Sequence, residues 1–348
     1  MKESTQKCPL ISICIPTYNG QQYIEQTLKS INEQDYSNIE ILIVDDHSTD
    51  DTLDIVKAFA QIHSDLDIKI LYNQQNLGLV RNWNRCIELS NGSWIKFLFQ
   101  DDIMEKECIA ELADATSDET PLIFCRREFF YEAGVSEQVL QTYRDIPNID
   151  CIFPGKETLS SSDIANGILR ETRNFLGEPT STLIHKSLFS RFGLFNVNMV
   201  QLCDLEYWIR VGLNTGIRYV PKTMVRFRVH PSSTSSTNGS KRQYRSSLLD
   251  RLILLHEYAY NPHYQPLREY AKKNHKDRNF KKELARKAAW LKSHGNALSQ
   301  EDGKQHDTLH DWQEVIAAYP LLENSPYLIP YKFKAWLDTT LLWRINSK

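Results

Sequence analysis

Across the first 125 residues, short runs rich in β-branched and large apolar residues (LISICIP, IEILIVDD, IKILY, WIKFLFQDD and PLIFC) alternate with stretches of helical spacing. In those stretches Tyr23, Ile24, Leu28 and Ile31, and then Leu53, Val56 and Phe59, recur three and four positions apart, as one face of a helix requires. Strand and helix in turn leave few folds open. Parallel neighbours need crossover connections, and the crossing helices cover both faces of the sheet. The chain is therefore expected to be α/β, with a mostly parallel central sheet flanked by helices.

The punctuation between the runs agrees. STDDT after the second strand supplies Ser, Thr and Asp for a helix N-cap, and Asn76-Leu77-Gly78 reads as a turn opening a helix through Trp83 and Ile87. Residues 126–180 are less regular and read as loops and short strands, with a helix near 161–172. GEPTSTLIHKSLF then reads as a loop leading into a short strand and a helix. CDLEYWIRVGL reads as an amphipathic helix with Leu205, Trp208, Ile209 and Leu213 on one face, and IRYVP and MVRFRVH as a strand pair. PSSTSSTNGS is loop by composition.

From residue 241 the pattern turns helical and basic, which divides the chain into an α/β part, 1–240, and a C-terminal helical extension, 241–348. The extension carries 19 Lys and Arg against 12 Asp and Glu, while the front carries 22 against 32. An acidic front suits a metal, and a basic tail suits anionic surfaces. The overall net charge of -3 gives no reason to expect a nucleic-acid partner. Seven cysteines without a C-x-x-C pair point to buried thiols in a reducing compartment rather than a disulfide framework or zinc site. The polar start MKESTQK is unlike a signal peptide, and no apolar stretch reaches the roughly 20 residues that span a bilayer. A cytoplasmic location is expected.

Two of the apolar runs end in acid pairs, Asp45-Asp46 and Asp101-Asp102. Ligands of open parallel sheets bind outside the carboxyl ends of the strands, so these acids stand where a ligand would. Clustered carboxylates repel one another unless a cation offsets them. Mg²⁺ or Mn²⁺ is commonly held by one or two carboxylates together with substrate phosphates and water, which points to a metal–diphosphate ligand. Neither G-x-G-x-x-G nor G-x-x-x-x-G-K-[ST] is present, so the two usual phosphate cradles are missing and a dehydrogenase is disfavoured. A receiver-like phosphoacceptor domain would also carry strand-end acids, but it would leave most of this chain unexplained.

ISICIPTYNG, IEILIVDDHSTDDT, NLGLVRNWN, IKFLFQDD and CDLEYWIR occur in the order and approximate spacing of the family-2 glycosyltransferases. The chain resembles that family over about residues 8–235, and the resemblance implies the nucleotide-sugar-binding fold called GT-A. It implies that Thr17 and Tyr18 line the nucleotide pocket, that Asp45 accepts from the base or ribose, and that Arg81 flanks the base. Metal binding falls on Asp101 and Asp102, since Phe99 stands where many members have a further acid. Strand alternation would put Phe99 on the side of Asp101, either beside the ribose or in the core.

Transfer from a nucleotide-diphosphate sugar needs charge stabilisation on the leaving diphosphate and a general base for the attacking hydroxyl. The resemblance places the base at Asp204, with Glu206 as the alternate, and attack opposite the leaving group inverts the anomeric centre. Cys203 replaces a Glu frequent before that Asp. His230 matches a segment that closes over the diphosphate, giving it a metal or phosphate role. Arg226 and Arg228 are placed near the phosphates with a Ser/Thr-rich lid after them, and Glu178 faces the donor sugar or acceptor.

The expected activity is metal-dependent inverting transfer from a nucleotide-diphosphate sugar, UDP-linked, to a glycan or lipid-linked saccharide in cell-surface polysaccharide synthesis. The rival reading, favoured by Phe99 and Cys203, is a nucleotide-sugar-binding protein without turnover. YLIPYKFKAWLDTTLLWRINSK at the C-terminus interleaves basic and apolar residues, so the extension either contacts the inner face of the membrane peripherally or packs on the catalytic part.

Overall fold

All five early apolar runs become strands in the computed structural model, which describes residues 8–117, 119–171, 173–236, 243–301 and 308–328. The runs form β1 (Ile11–Thr17), β2 (Ile39–Asp45), β3 (Ile68–Tyr72), β4 (Trp94–Phe97) and, after the two-residue β5 (Ile103–Met104), β6 (Leu122–Tyr131). Helices α1 (Ile24–Asn32), α2 (Thr52–Ile62) and α3 (Leu79–Leu89) make the crossovers between β1 and β4. Short β7 (Thr158–Leu159) and β8 (Thr182–His185) and the long β9 (Ile217–Val229) complete one nine-stranded sheet. Its order is β3-β2-β1-β4-β8-β6-β9-β5, with β7 against β9.

The sheet is mixed. β3, β2, β1 and β4 run parallel, as their crossovers demand, whereas β8 is antiparallel to both β4 and β6. β6 and β9 pair in parallel, with register shifts around Arg126. IRYVP and MVRFRVH are one continuous strand instead of the expected pair. The register steps from Val220 to Thr223, so Pro221 and Lys222 form a bulge, where a missing N–H does no harm. Ile13, Ile15, Ile41 and Ile43 are fully buried and pack with Leu28, Ile31, Val56 and Ile109.

At the N-terminal end of the sheet, Glu40 is buried and accepts from the Ser12 hydroxyl, from the Asn91 backbone and side chain, and from Lys69 Nζ at 2.8 Å. Burial would push this carboxyl up, but Lys69, Ser12 and Asn91 together bring it down to about 2.

The chain forms two compact units. The first holds the residues up to Phe195 together with Tyr207–Pro231, and the second holds Asn196–Glu206 and everything from Ser232. The sheet belongs to the first. The second is helical, with Asp250–Tyr260, Gln265–Asn274, Phe280–Glu301 and Thr308–Ala318 as its main helices. A π-helical turn, Tyr244–Leu249, leads into Asp250–Tyr260. Leu252, Ile253, Leu267, Leu284, Leu291 and Val315 are buried. Among the described residues no helix is long and apolar enough to cross a membrane. The amphiphilic C-terminal stretch lies outside the described residues beyond Leu328, as does the end of the Ser/Thr-rich loop from residue 237.

Candidate donor and metal site

The register brings Thr17 opposite Asp45 and Asp45 opposite Tyr72, so β1, β2 and β3 finish level with one another at their carboxyl ends. The loops leaving this rim are laced together. Asp45 is fully buried, and its carboxylate accepts from Thr17 Oγ1 at 3.0 Å and from the Ser48 N–H at 2.8 Å and hydroxyl. A carboxylate has about four lone-pair directions, so these bonds leave it roughly one. Asp46 accepts from Asn73 and from the Leu77 and Gly78 N–H groups, fixing the turn that opens α3; Gly78, at φ 84°, supplies the left-handed backbone there.

The PTYNG loop is bonded to STDDT in several places. Asn19 N–H donates to the Ser48 hydroxyl, and Thr49 N–H donates back to Asn19 Oδ1. Gly20 N–H reaches the Thr52 hydroxyl, and Gln21 N–H reaches Asp50. Asn19 and His47 take positive φ, 48° and 68°, which marks both loops as sharply turned.

β4 stops at Phe97, so strand alternation does not extend to Phe99 or the acids beyond it. Residues 99–102 instead form a turn closed by the Asp102 N–H to the Phe99 carbonyl at 3.1 Å. Phe99 stacks on Trp83 with ring centroids 4.9 Å apart. Gln100 is bonded twice to the Tyr18 backbone, accepting from its N–H at 2.8 Å and donating to its carbonyl at 3.0 Å. A short chain of bonds thus runs from Asp45 through Thr17, Tyr18 and Gln100 to Asp101.

Asp101 is partly exposed, and its Oδ2 lies 3.0 Å from His230 Nε2. Asp102 is fully buried: Oδ1 accepts from the Arg228 N–H at 2.9 Å, while Oδ2 has no hydrogen-bond partner. Burial, and then the charges of Asp101 and Glu178, push the Asp102 carboxyl well above the ordinary range against the pull of the Arg228 N–H. An orphaned carboxylate oxygen beside a second carboxylate is the arrangement a divalent cation relieves. Among the described residues no cluster of three or more His, Cys, Asp or Glu could hold an ion by itself. Asp101, Asp102 and His230 thus do not form a complete ligand set, and an ion on the two carboxylates would need further ligands such as those of a bound phosphate.

Tyr18 is half exposed and Arg81 is exposed on α3. Arg228 is tied to protein partners next to the acid turn. It is buried between Tyr23 and Phe130, each 4.4 Å away, and bonds to the Asp101 carbonyl, Gln26 and Glu132. Its backbone N–H and its Nε thus both bond the acid turn, at Asp102 Oδ1 and at the Asp101 carbonyl. Glu178 is likewise committed to a protein partner, pairing with the buried Arg127 at 2.5 Å. Burial raises its carboxyl, with Arg127 opposing. Arg226 pairs with Glu105 at 3.0 Å on an open surface, which ties down its charge locally.

Asp204 lies in the second unit, in the first turn of the helix Cys203–Thr215, and its Oδ1 accepts from the Leu205 N–H at 2.6 Å. Glu206, the alternate base, is 1% exposed and accepts from the Tyr264 hydroxyl at 2.8 Å, which makes it the weaker candidate. Three contributors went unread in the sequence. Gln100 sits in the IKFLFQDD motif and Tyr23 was read only as part of a helix face, but their roles here depend on which loops meet. Lys96 is fully buried and bonds the Phe97 and Thr180 carbonyls, tying β4 to the loop behind Asp102. A lysine inside an otherwise apolar strand was the available signal for it.

The sequence model of glycosyl transferase family 2 matches residues 12–189. An uncharacterized protein of Mycobacterium tuberculosis is 29% identical over 251 residues, 71% of this chain and 75% of its own. A teichuronic acid biosynthesis glycosyltransferase of Bacillus subtilis, itself described as putative, is 37% identical over 99 residues, 28% of this chain and 38% of its own. Among solved structures, residues 1–349 of Staphylococcus aureus TarS in complex with UDP-GlcNAc superpose with a TM-score of 0.54 at 17% identity, covering 89% of this chain and 91% of that one. A Pyrobaculum calidifontis mannosyltransferase in complex with GDP-Man and Mn2+ superposes with a TM-score of 0.53 at 15% identity, covering 95% and 87%. These two likenesses support the same fold, and the motif order and the matched segment together establish that the chain belongs to glycosyl transferase family 2.

Proposed function

We propose that the protein transfers a sugar from a nucleotide-diphosphate donor, UDP-linked, to a hydroxyl of a glycan or lipid-linked saccharide, with inversion, in the assembly of a cell-surface polysaccharide. The observation that carries this reading is the unpaired oxygen of buried Asp102 beside Asp101, at the rim where the β1, β2 and β4 loops meet. Asp101 and Asp102 would hold Mn2+ or Mg2+, with His230 beside them. The ion would neutralise charge developing on the leaving diphosphate. Thr17, Tyr18, Asp45 and Arg81 form the nucleotide side of the site, Asp45 by fixing the loops as well as through its remaining acceptor direction. The buried Arg228 and Glu178 support that wall from behind.

Asp204 takes the proton of the attacking hydroxyl; its support is its place in CDLEYWIR. The UDP and Mn2+ assignments draw support from the ligands of TarS and of the archaeal mannosyltransferase, and the polysaccharide setting from the teichuronic acid relative. Seven free cysteines support a reducing, cytoplasmic compartment, with peripheral contact to the membrane left to the C-terminal stretch.

The test is release of nucleoside diphosphate from UDP-GlcNAc, UDP-glucose and GDP-mannose by the full-length chain, with Mn2+ and then with excess EDTA. Turnover of at least one donor that disappears in EDTA and returns with Mn2+ is expected. Binding without turnover, in the presence of a mixed saccharide acceptor pool, would favour the non-catalytic binding protein. Turnover indifferent to EDTA would remove the metal from the account.

A further inference from the structure

The segment preceding Asp204 is held by a device in the second unit that the family motifs do not include. Three successive backbone N–H groups, those of Val200, Gln201 and Leu202, converge on one carboxylate. Asp250 Oδ2 accepts them at 3.0, 2.6 and 2.9 Å. Asp250 is fully buried, and its Oδ1 pairs with Arg245 Nη1 at 2.8 Å. Arg245 is also buried, and its other terminal nitrogen donates to the Asn198 carbonyl at 2.6 Å. The two side chains thus grip the stretch 198–202 at four backbone positions, and Asp204 follows two residues later.

The local backbone is built for this. Arg245 and Asp250 are five residues apart, a spacing that an ordinary α-helix does not stack, and Arg245 lies within the π-helical turn Tyr244–Leu249 that Asp250 directly follows. Such turns are uncommon and cluster at functional positions. A buried ion pair contributes little to stability compared with apolar replacements, so its presence needs another reason, and fixing geometry is the best attested one. The thiol of Cys203, between the gripped segment and Asp204, is pushed up by burial and then by the charges of both Asp204 and Asp250, which agrees with the two carboxylates standing close to it.

We infer that Asp250 and Arg245 are positioning residues for Asp204, fixing the chain from Asn198 to Leu202 so that the helix Cys203–Thr215 begins with the base correctly aimed. This rests on the proposed role of Asp204. In Asp250→Asn, Oδ1 or Oδ2 becomes an NH2 that must face either Arg245 or the three N–H donors, so the grip loosens while the volume stays the same. Arg245→Lys keeps the charge but cannot serve Asp250 and the Asn198 carbonyl together.

The experiment measures kcat and donor KM for nucleoside diphosphate release by full-length protein, using whichever of UDP-GlcNAc, UDP-glucose or GDP-mannose the wild type turns over, in D250N, R245K, D204N and D204N/D250N. Expected are a fall in kcat of about tenfold or more in D250N and R245K with donor KM within about twofold, since small misplacements of a reacting group are expensive in rate. D204N/D250N should be no slower than D204N alone. Wild-type kcat in folded D250N and R245K would overturn the inference. So would a D250N effect of the same size on the D204N background, or failure of both single variants to fold. A D204N variant with the wild-type rate would instead sink the assignment of the base, which is a separate outcome.

Discussion

Replacing Asp102 by Asn should stabilise the ligand-free protein while abolishing its response to metal and donor. Asp102 is fully buried with one oxygen unpartnered, and an unsatisfied buried polar group costs about 1–3 kcal/mol, more when charged. Asparagine keeps the acceptor for the Arg228 N–H and removes the repulsion with Asp101. It also offers an NH2 to the Thr180 hydroxyl, itself buried without a hydrogen bond. A gain of ~1–3 kcal/mol in a unit of this size raises the melting temperature by about 2–12 °C. In the wild type, Mn2+ with UDP at about 100 times the dissociation constant adds roughly 2.7 kcal/mol, which offsets most or all of that difference.

The assay is thermal unfolding of both proteins, alone and with Mn2+ and UDP. D102N should melt higher without ligand, and only the wild type should shift when ligand is added. The reasoning is refuted if D102N melts lower than wild type in the absence of ligand, or if it still gains several degrees from Mn2+ and UDP together.

Three other outcomes follow from the geometry. Glu40→Gln removes a carboxylate held down to about 2 at the opposite end of the sheet. A depressed carboxyl stabilises above its unfolded pKa and loses that contribution as pH falls through the folded one. Urea unfolding should therefore show a deficit of about 1–3 kcal/mol at pH 7, reduced because Lys69 is half exposed, that shrinks below about pH 4.5. Arg228→Met should lower stability by about 2–4 kcal/mol in urea titrations, since it strips buried partners from Asp101 and Gln26; unchanged stability with a raised donor KM would mean that Arg228 faces the ligand after all. Gly177→Ala should destabilise by about 1–3 kcal/mol, because Gly177 has φ 125° and a Cβ there would stand 2.3 Å from the Ser181 hydroxyl; calorimetric melting checks it.

Much of the first unit was legible because its signals are local. Periodicity located β1, β2, β3, β4 and β6, and the acid pairs fell at the rim because apolar runs end there. Gly78 announced the turn before α3. What could not be read depends on partners distant in sequence. The burial of Arg228 between Tyr23 and Phe130 was not legible, because it needs β6, β9 and the start of α1 to meet. Pro221 looked like the end of a strand because a bulge inside a strand has no composition distinct from a turn. Gln100 carried no signal at all, since its two bonds to Tyr18 exist only once β4 lies beside β1. Asp250 was one acid among many in a helical, charged region, and only the three converging N–H groups distinguish it.

The most direct measurement is anomalous diffraction at the manganese edge from crystals grown with Mn2+ and UDP. One strong peak is expected in contact with the Asp101 and Asp102 carboxylates and the diphosphate, with the uracil toward Thr17, Tyr18 and Arg81. UDP bound at the rim with no manganese near Asp102, or manganese held elsewhere on the chain, would contradict it.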